Sequence, residues 1–291
     1  MENKKFLIIG AGSYLGKNYL DYLLKKKLTA YGVSSFYESD NIFKITNLND
    51  NLIDLINSVK PDIIFDFKLQ RVSSNKDHYP SDLKELIIDN KKVATQIKKF
   101  NKKNLEVHLI STSKLNNIEE INHPYLNLKK EQELHYLDLF GGEDNLTIHR
   151  VENVIGFGDF NFSRILPYNF GSIFKNGNIV LNSNKNITRN YLTIENFMQN
   201  LLNFVVKNEK DINDRAFTLK NFELLDIANS FIESKTNKNI NITWLNEVDY
   251  LSSPNPVLKI TKFDVQKIKK ISKWYWNNRV EVLNKFEQFN Y

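Results

Sequence analysis

The sequence predicts an α/β fold, a doubly wound parallel sheet followed by a smaller C-terminal lobe. Three observations carry this expectation. Short β-rich runs alternate with helical patterns through the first half of the chain. A glycine-rich turn joins the first of these runs to the first helical pattern. Beyond Gly158 the alternation gives way to loops and short elements rich in Asn, Phe and Tyr. We therefore expect one domain over residues 1–158 and a lobe over 159–291, some of whose segments return to the first domain.

Taken in order, residues 6–9 (Phe-Leu-Ile-Ile) read as the first strand, and 14–27 as the helix that follows. Residues 29–34 form the second strand and 42–45 a short third. A helix from about 49 to 59 stops before Pro61, which cannot continue it. Residues 62–67 are the fourth strand, and a helix over about 80–101 leads to the fifth at 105–110. A long amphipathic helix over 125–140 is closed by Gly141-Gly142, a stop signal. The sixth strand is 146–151. In the lobe, irregular structure to about residue 186 precedes helices at 194–206 and 224–235. A Ser-Ser-Pro-Asn-Pro loop occupies 252–256, and a last helical region covers 265–289.

Composition narrows the function. The 291 residues are 41% hydrophobic, enough for a full core, and contain no cysteine. This excludes disulfides, thiolate metal sites and a cysteine nucleophile. The five histidines (78, 108, 123, 135 and 149) show no i, i+4 pairing, so no metal site is expected. No apolar run approaches membrane-spanning length and the start runs straight into a strand, so a cytoplasmic protein without membrane contact is expected. The net charge of +6 comes from 34 lysines scattered in short clusters. They form no basic stripe with interleaved aromatics, so nucleic acid is not an expected partner. An anionic small substrate would still be attracted.

Gly10-Ala11-Gly12-Ser13-Tyr14-Leu15-Gly16 lies between strand and helix, the context that gives a glycine motif meaning. Gly10 permits the tight turn, Gly12 or Ser13 lets the backbone approach a pyrophosphate, and Gly16 lets the helix sit close. The amides of Tyr14 and Leu15 open a helix whose N-terminus favours phosphate. At the end of the second strand, Ser34-Ser35 stand where an acidic residue would select NAD(H) by binding its ribose hydroxyls. NADP(H) is therefore favoured, although no arginine is at hand to clamp a 2′-phosphate; NAD(H) stays possible.

Tyr125 and Lys129 are four apart on a predicted helix and share a face. A tyrosine needs a neighbouring cation to act as an acid near neutral pH, since its free pKa is about 10. Lys129 would serve, and would also hold a nicotinamide ribose. With 13 tyrosines and 34 lysines the spacing alone is weak, and Tyr22 with Lys26 matches it too. The surroundings single out Tyr125: an apolar run ending in Ser111-Thr112-Ser113 precedes it, and Glu133 with a further strand follows. Thr112, or next Ser113, is the hydroxyl expected to hydrogen-bond the same substrate oxygen.

In this order the motifs resemble the extended short-chain dehydrogenase/reductases, a family of sugar-nucleotide epimerases, dehydratases and ketoreductases. The glycine turn, Pro61-Asp62-Ile63-Ile64-Phe65, Ser111-Thr112 and Pro124-Tyr125-x-x-x-Lys129-x-x-x-Glu133 match. So do Arg150-x-x-Asn153-Val154-x-Gly156-x-Gly158, Arg189-Asn190-Tyr191-Leu192-x-Ile194-x-Asn196 and the Lys267-to-Trp274 region. The resemblance implies a Rossmann-type cofactor domain, a substrate-binding lobe and a homodimer built through a four-helix bundle. It implies that Asn153 and Arg189 hold a substrate diphosphate, with Leu181 beside the base. Two departures stand out: the Thr112–Tyr125 segment is short, and Asp66-Phe67-Lys68-Leu69 replaces the family's H-L-A-A.

Ser113-Lys114 stand where the family's dehydratases carry Asp-Glu, and no cysteine is present for a double epimerisation. A hydride step at one carbon remains. With Ser34-Ser35 favouring NADP(H), reduction of a C4 keto group is the expected step, and the resemblance implies a nucleoside-diphosphate 4-keto-6-deoxy sugar as its substrate, in surface-polysaccharide biosynthesis. An NAD-dependent 4-epimerase and a non-catalytic dinucleotide-binding protein stay open.

Overall fold

The computed structural model describes residues 3–45, 48–68, 83–100, 102–117, 124–141, 145–207, 211–245 and 259–289. The chain forms two compact units, Met1–Val151 and Glu152–Tyr291. The division falls at 151/152 rather than 158, because the strand over 153–155 pairs inside the second unit.

In the first unit, β1 (Lys5–Ile9), α1 (Tyr14–Lys25), β2 (Thr29–Ser34), β3 (Ile42–Lys44), α2 (Leu48–Val59), β4 (Ile63–Asp66), α3 (Leu83–Lys99), β5 (Glu106–Thr112), α4 (Pro124–Phe140) and β6 (Leu146–Val151) follow the predicted alternation. The sheet order is β3-β2-β1-β4-β5-β6, and every pairing is parallel. Covered on both faces, β1 reads as an unbroken apolar run, with Phe6 to Ile9 fully buried. Each such side chain contributes about 2 kcal/mol. One face packs Leu7, Ile9, Ile64, Val107 and Leu109 against Val93, Ile97 and Tyr136 from the helices. Consecutive strands run outward from β1 in both directions, so a crevice opens between the ends of β1 and β4 where the winding reverses.

Helix ends follow local chemistry. Ser13 caps α1 by accepting from the Gly16 amide at 3.1 Å, worth about 1 kcal/mol. Lys60 at φ 53° and Pro61 end α2. Gly141 donates to the Leu137 carbonyl at the close of α4, as its stop signal predicted; Gly142 lies outside the described residues.

The second unit contains β7 (Asn153–Ile155), α5 (Ile165–Asn176), β8 (Asn178–Leu181), β9 (Thr188–Thr193), α6 (Ile194–Lys207), β10 (Phe217–Lys220), α7 (Asn221–Thr236), β11 (Asn241–Trp244), α8 (Lys262–Asn277) and α9 (Arg279–Phe289). Its sheets are β10-β9-β7 and the parallel pair β11-β8. Helix α5 replaces expected irregular structure. Its proline, Pro167, falls in the first turn, where no helical bond is lost, and Gly177 ends it at φ 70°. Phe170 then stacks on Tyr275 at 4.4 Å, which makes the helix part of the core. The last helical region is two helices, since α8 closes at Asn278. The loop expected at 252–256 lies outside the described residues. Among the described residues no helix is long and apolar enough to cross a membrane.

Candidate cofactor and reaction site

The glycine turn sits at the crevice end of β1. Gly10 adopts φ 81°, and the amides of Gly10 and Ala11 both donate to the Val33 carbonyl, fastening the turn to β2. A side-chain carbon on Gly10 would stand 2.9 Å from the Lys68 backbone nitrogen. One on Gly12 would stand 2.6 Å from Ser34 Oγ, and one on Gly16 would strike the Gly10 carbonyl oxygen. Gly10 and Gly16 therefore require glycine, a carbon on Gly12 would displace the Ser34 hydroxyl, and the turn leads the backbone amides of the α1 N-terminus toward where a pyrophosphate would lie. These residues fit a dinucleotide.

The two serines after β2 differ. Ser34 is buried, and its hydroxyl accepts from the Phe36 amide at 3.1 Å. Ser35 is exposed. Of the pair, only Ser35 faces solvent, so the expected contact with a 2′-phosphate falls to it. Beside them Phe36 is exposed and Tyr37 Oη donates to the Ala11 carbonyl at 3.3 Å.

Strand β5 ends in Ser111 and Thr112 and passes into a short 3-10 turn, Ser113–Asn117. All three hydroxyl residues are buried. Thr112 Oγ1 accepts from the Lys114 amide at 3.4 Å, whereas Ser111 Oγ donates to Glu133. Tyr125 is half-buried in the first turn of α4, and Lys129 is buried one turn on. The Lys129 ammonium donates to the Ile110 carbonyl at 2.8 Å and to Gln132 Oε1 at 3.0 Å. Burial pulls its pKa down to about 8, against the opposing pull of the Asp66 and Glu133 charges. Glu133 is clasped by Arg150, with Nη2 at 2.7 Å and Nε at 3.2 Å from its oxygens. That pair ties α4 to β6.

In the second unit, Asn153 and Arg189 lie on the neighbouring strands β7 and β9. Asn153 Nδ2 donates to the Asn190 carbonyl at 2.9 Å, and Arg189 is half-buried opposite Leu219. Leu181, expected beside a base, is instead packed into the core with Ile179. In β8 alternate residues face opposite sides, and Leu181 falls on the inward one while Val180 is exposed.

No protein-family model matches the chain, and no curated protein matches it in sequence. Solved structures match nearly its whole length. The enzyme WbmF of Bordetella bronchiseptica, solved in complex with NAD+, gives a TM-score of 0.76 at 15% identity, covering 99% of this chain and 97% of that one. A UDP-N-acetylglucosamine 4-epimerase of Methanobrevibacter ruminantium, in complex with UDP-N-acetylmuramic acid, gives 0.71 at 17%, covering 96% and 100%. A dTDP-glucose 4,6-dehydratase of Bacillus anthracis, in complex with NAD, gives 0.73 at 13%, covering 97% and 99%. This chain has their fold. It is the fold that the resemblance to extended short-chain dehydrogenase/reductases implies.

Sequence reasoning flagged Asp66 as a departure but missed the buried polar residues Gln132 and Tyr136 that join it behind Lys129. Their signal was present, since three polar side chains at 129, 132 and 136 share the inward stripe of a helix.

Proposed function

We propose that the protein is an NADPH-dependent ketoreductase acting on the C4 carbonyl of a nucleoside-diphosphate 4-keto-6-deoxy sugar, on a route to a surface polysaccharide. The observation that carries this reading is the placing of Tyr125 and Lys129 on α4, with Lys129 bonded to the carbonyl of Ile110 just before the Ser111-Thr112-Ser113 hydroxyls. Those groups close β5, in the same parallel sheet as β1, whose end carries the glycine turn one strand away across β4. Gly10, Gly12, Ser13, Tyr14, Leu15 and Gly16 would hold the dinucleotide's pyrophosphate, Ser35 its 2′-phosphate and Lys129 its nicotinamide ribose. When bound, the cofactor supplies the hydride.

Tyr125 donates its phenolic proton to the substrate's C4 oxygen, and the Lys129 ammonium favours the phenolate left behind. Thr112, or Ser113, hydrogen-bonds the same oxygen and orients the carbonyl. Asn153 and Arg189 are assigned to the diphosphate, since an amide donor and a guanidinium fork suit phosphate oxygens. A cytoplasmic location goes with this chemistry. A homodimer is part of the reading, because Leu134 and Leu137 of α4 and Ile88 of α3 are exposed apolar residues on two packed helices. Leu126 of the same helix is buried and is not part of that surface.

An NAD-dependent 4-epimerase is the second reading, favoured by the fold shared with a UDP-N-acetylglucosamine 4-epimerase. The test incubates the protein with NADPH and UDP-, GDP-, CDP- and dTDP-linked 4-keto sugars, following absorbance and product NMR. Oxidation of NADPH by one of them supports the reductase. Epimerisation of a plain UDP-hexose without added cofactor, with no NADPH oxidised, replaces it by the epimerase.

A further inference from the structure

Behind the Tyr125–Lys129 pair runs a buried polar chain that none of the sequence motifs predicts. Lys129, Gln132 and Tyr136 occupy one stripe of α4 and are all buried; Asp66, at the end of β4, is fully buried. Tyr136 Oη donates to Asp66 Oδ2 at 2.7 Å, and Gln132 Nε2 donates to the same oxygen at 3.3 Å. Gln132 Oε1 accepts from the Lys129 ammonium at 3.0 Å. The other Asp66 oxygen accepts from the Lys68 amide at 2.7 Å. A carboxylate taken out of water is costly unless its lone pairs are met, and here three donors converge on it.

The chain has a direction. Burial raises the Asp66 pKa from its ordinary value, while the Tyr136 hydroxyl, the Lys68 amide and the Lys129 and Lys68 charges favour its ionised form; an ammonium can only donate and an ionised carboxylate can only accept. Gln132 must therefore turn its oxygen to Lys129 and its nitrogen to Asp66, so its orientation is dictated from both ends. Through that one amide the negative charge at the end of β4 is coupled to the ammonium on α4, among buried residues where such coupling is strong.

We propose that Asp66, acting through Gln132, is a positioning residue that holds and stabilises the Lys129 ammonium. This rests on Lys129 being the lysine that holds the nicotinamide ribose and supports Tyr125. The groups that act on Lys129 are the Ile110 carbonyl and Gln132, which its ammonium bonds, and the charges of Asp66 on β4 and Glu133 on α4. Glu133 is already matched by Arg150, with Nη2 at 2.7 Å. Asp66 has no guanidinium, and the amide of Gln132 links it to Lys129. Asp66 replaces the histidine of the resembled family, so the device belongs to this chain.

The test reads Lys129 directly. Protein carrying lysine labelled with 13C at Cε is titrated by NMR, and the Lys129 signal is assigned by its loss in Lys129→Met. The wild-type midpoint is expected near 8. Asp66→Asn is expected to lower it by about one pH unit, and Gln132→Leu to lower it as well, since each removes support for the charged form. Gln132→Glu is expected to raise it by placing a carboxylate beside the ammonium. A purely structural role for Asp66 would change the melting temperature and leave these midpoints alone. If Asp66→Asn does not fold, the two Gln132 variants decide, and an unmoved midpoint in both overturns the proposal. Cofactor titration of the wild type separates the two readings. Shifted midpoints in a protein that binds no dinucleotide keep the relay and sink the proposed function. Unmoved midpoints in an active reductase do the reverse.

Discussion

Ser34 Oγ lies 2.6 Å from the point at which a side-chain carbon on Gly12 would stand. The second glycine of the turn and the last residue of β2 thus share one space, and the serine's hydroxyl is already bonded to the Phe36 amide. Replacing Gly12 by alanine forces Ser34 to break that bond or the turn to lift off the sheet. Gly12→Ala is expected to weaken dinucleotide binding about tenfold, a cost of about 1.4 kcal/mol, without unfolding the protein. Fluorescence titration of bound NADPH together with a melting curve checks it.

Cofactor choice follows from the same corner. With Ser34 buried, Ser35 exposed and no carboxylate at either position, no acidic residue stands directly at the end of β2 to repel a 2′-phosphate. NADPH is expected to bind more tightly than NADH. Ser35→Asp should invert the order, and a wild-type preference for NADH would return the epimerase to first place.

Tyr125→Phe is expected to lower turnover by about two orders of magnitude, the scale for losing a general acid. Its cofactor dissociation constant should hardly change. Lys129→Ala should lower turnover and weaken the cofactor together. Full activity in Tyr125→Phe would remove the mechanism.

The pH dependence has a definite sign. Lys129 is charged below about 8 and neutral above it, because burial disfavours its ammonium. The charged form is the one that binds a ribose and favours phenolate, so kcat/KM should be level at lower pH and fall as pH rises through about 8. A profile that instead rises through this window contradicts the role given to Lys129.

Acid stability is set elsewhere. His108 Nδ1 and His149 Nε2 stand 3.0 Å apart, both rings are buried, and Phe65 stacks on His108 at 4.6 Å. Burial, together with His108, pushes His149 down to about 3, and burial lowers His108 too. Unfolded, each takes up a proton near 6.5. Their contribution is therefore complete above about 6.5 and is lost as pH falls below it, for His149 over the window down to about 3. The urea midpoint of the wild type should drop between pH 7 and 5, and drop less in His149→Leu, whatever that variant's starting stability.

For the dimer, Leu134→Glu combined with Leu137→Glu should give a monomer in sedimentation, since both side chains are about half exposed on α4. A wild type that is already monomeric at micromolar concentration excludes the four-helix interface.

The sequence by itself determined the parallel sheet, its strand and helix alternation, the glycine turn and the placing of Tyr125 and Lys129 on one helix. Each of these is written in short-range chemistry: short apolar runs alternating with period-3.6 patterns, a residue that tolerates positive φ, a proline that ends a helix. Only the tertiary structure decided what lies behind them. Leu181 turned inward because β8 packs that face into the core, and on α4 Leu126 is buried while Leu134 is half exposed. Helix α5 exists because Phe170 meets Tyr275, far away in the chain. Asp66 and Gln132, 66 residues apart, meet through the fold alone. Periodicity tells which residues share a face; which partner covers that face, and which buried polar groups must satisfy one another there, depends on contacts between distant segments that no local pattern encodes.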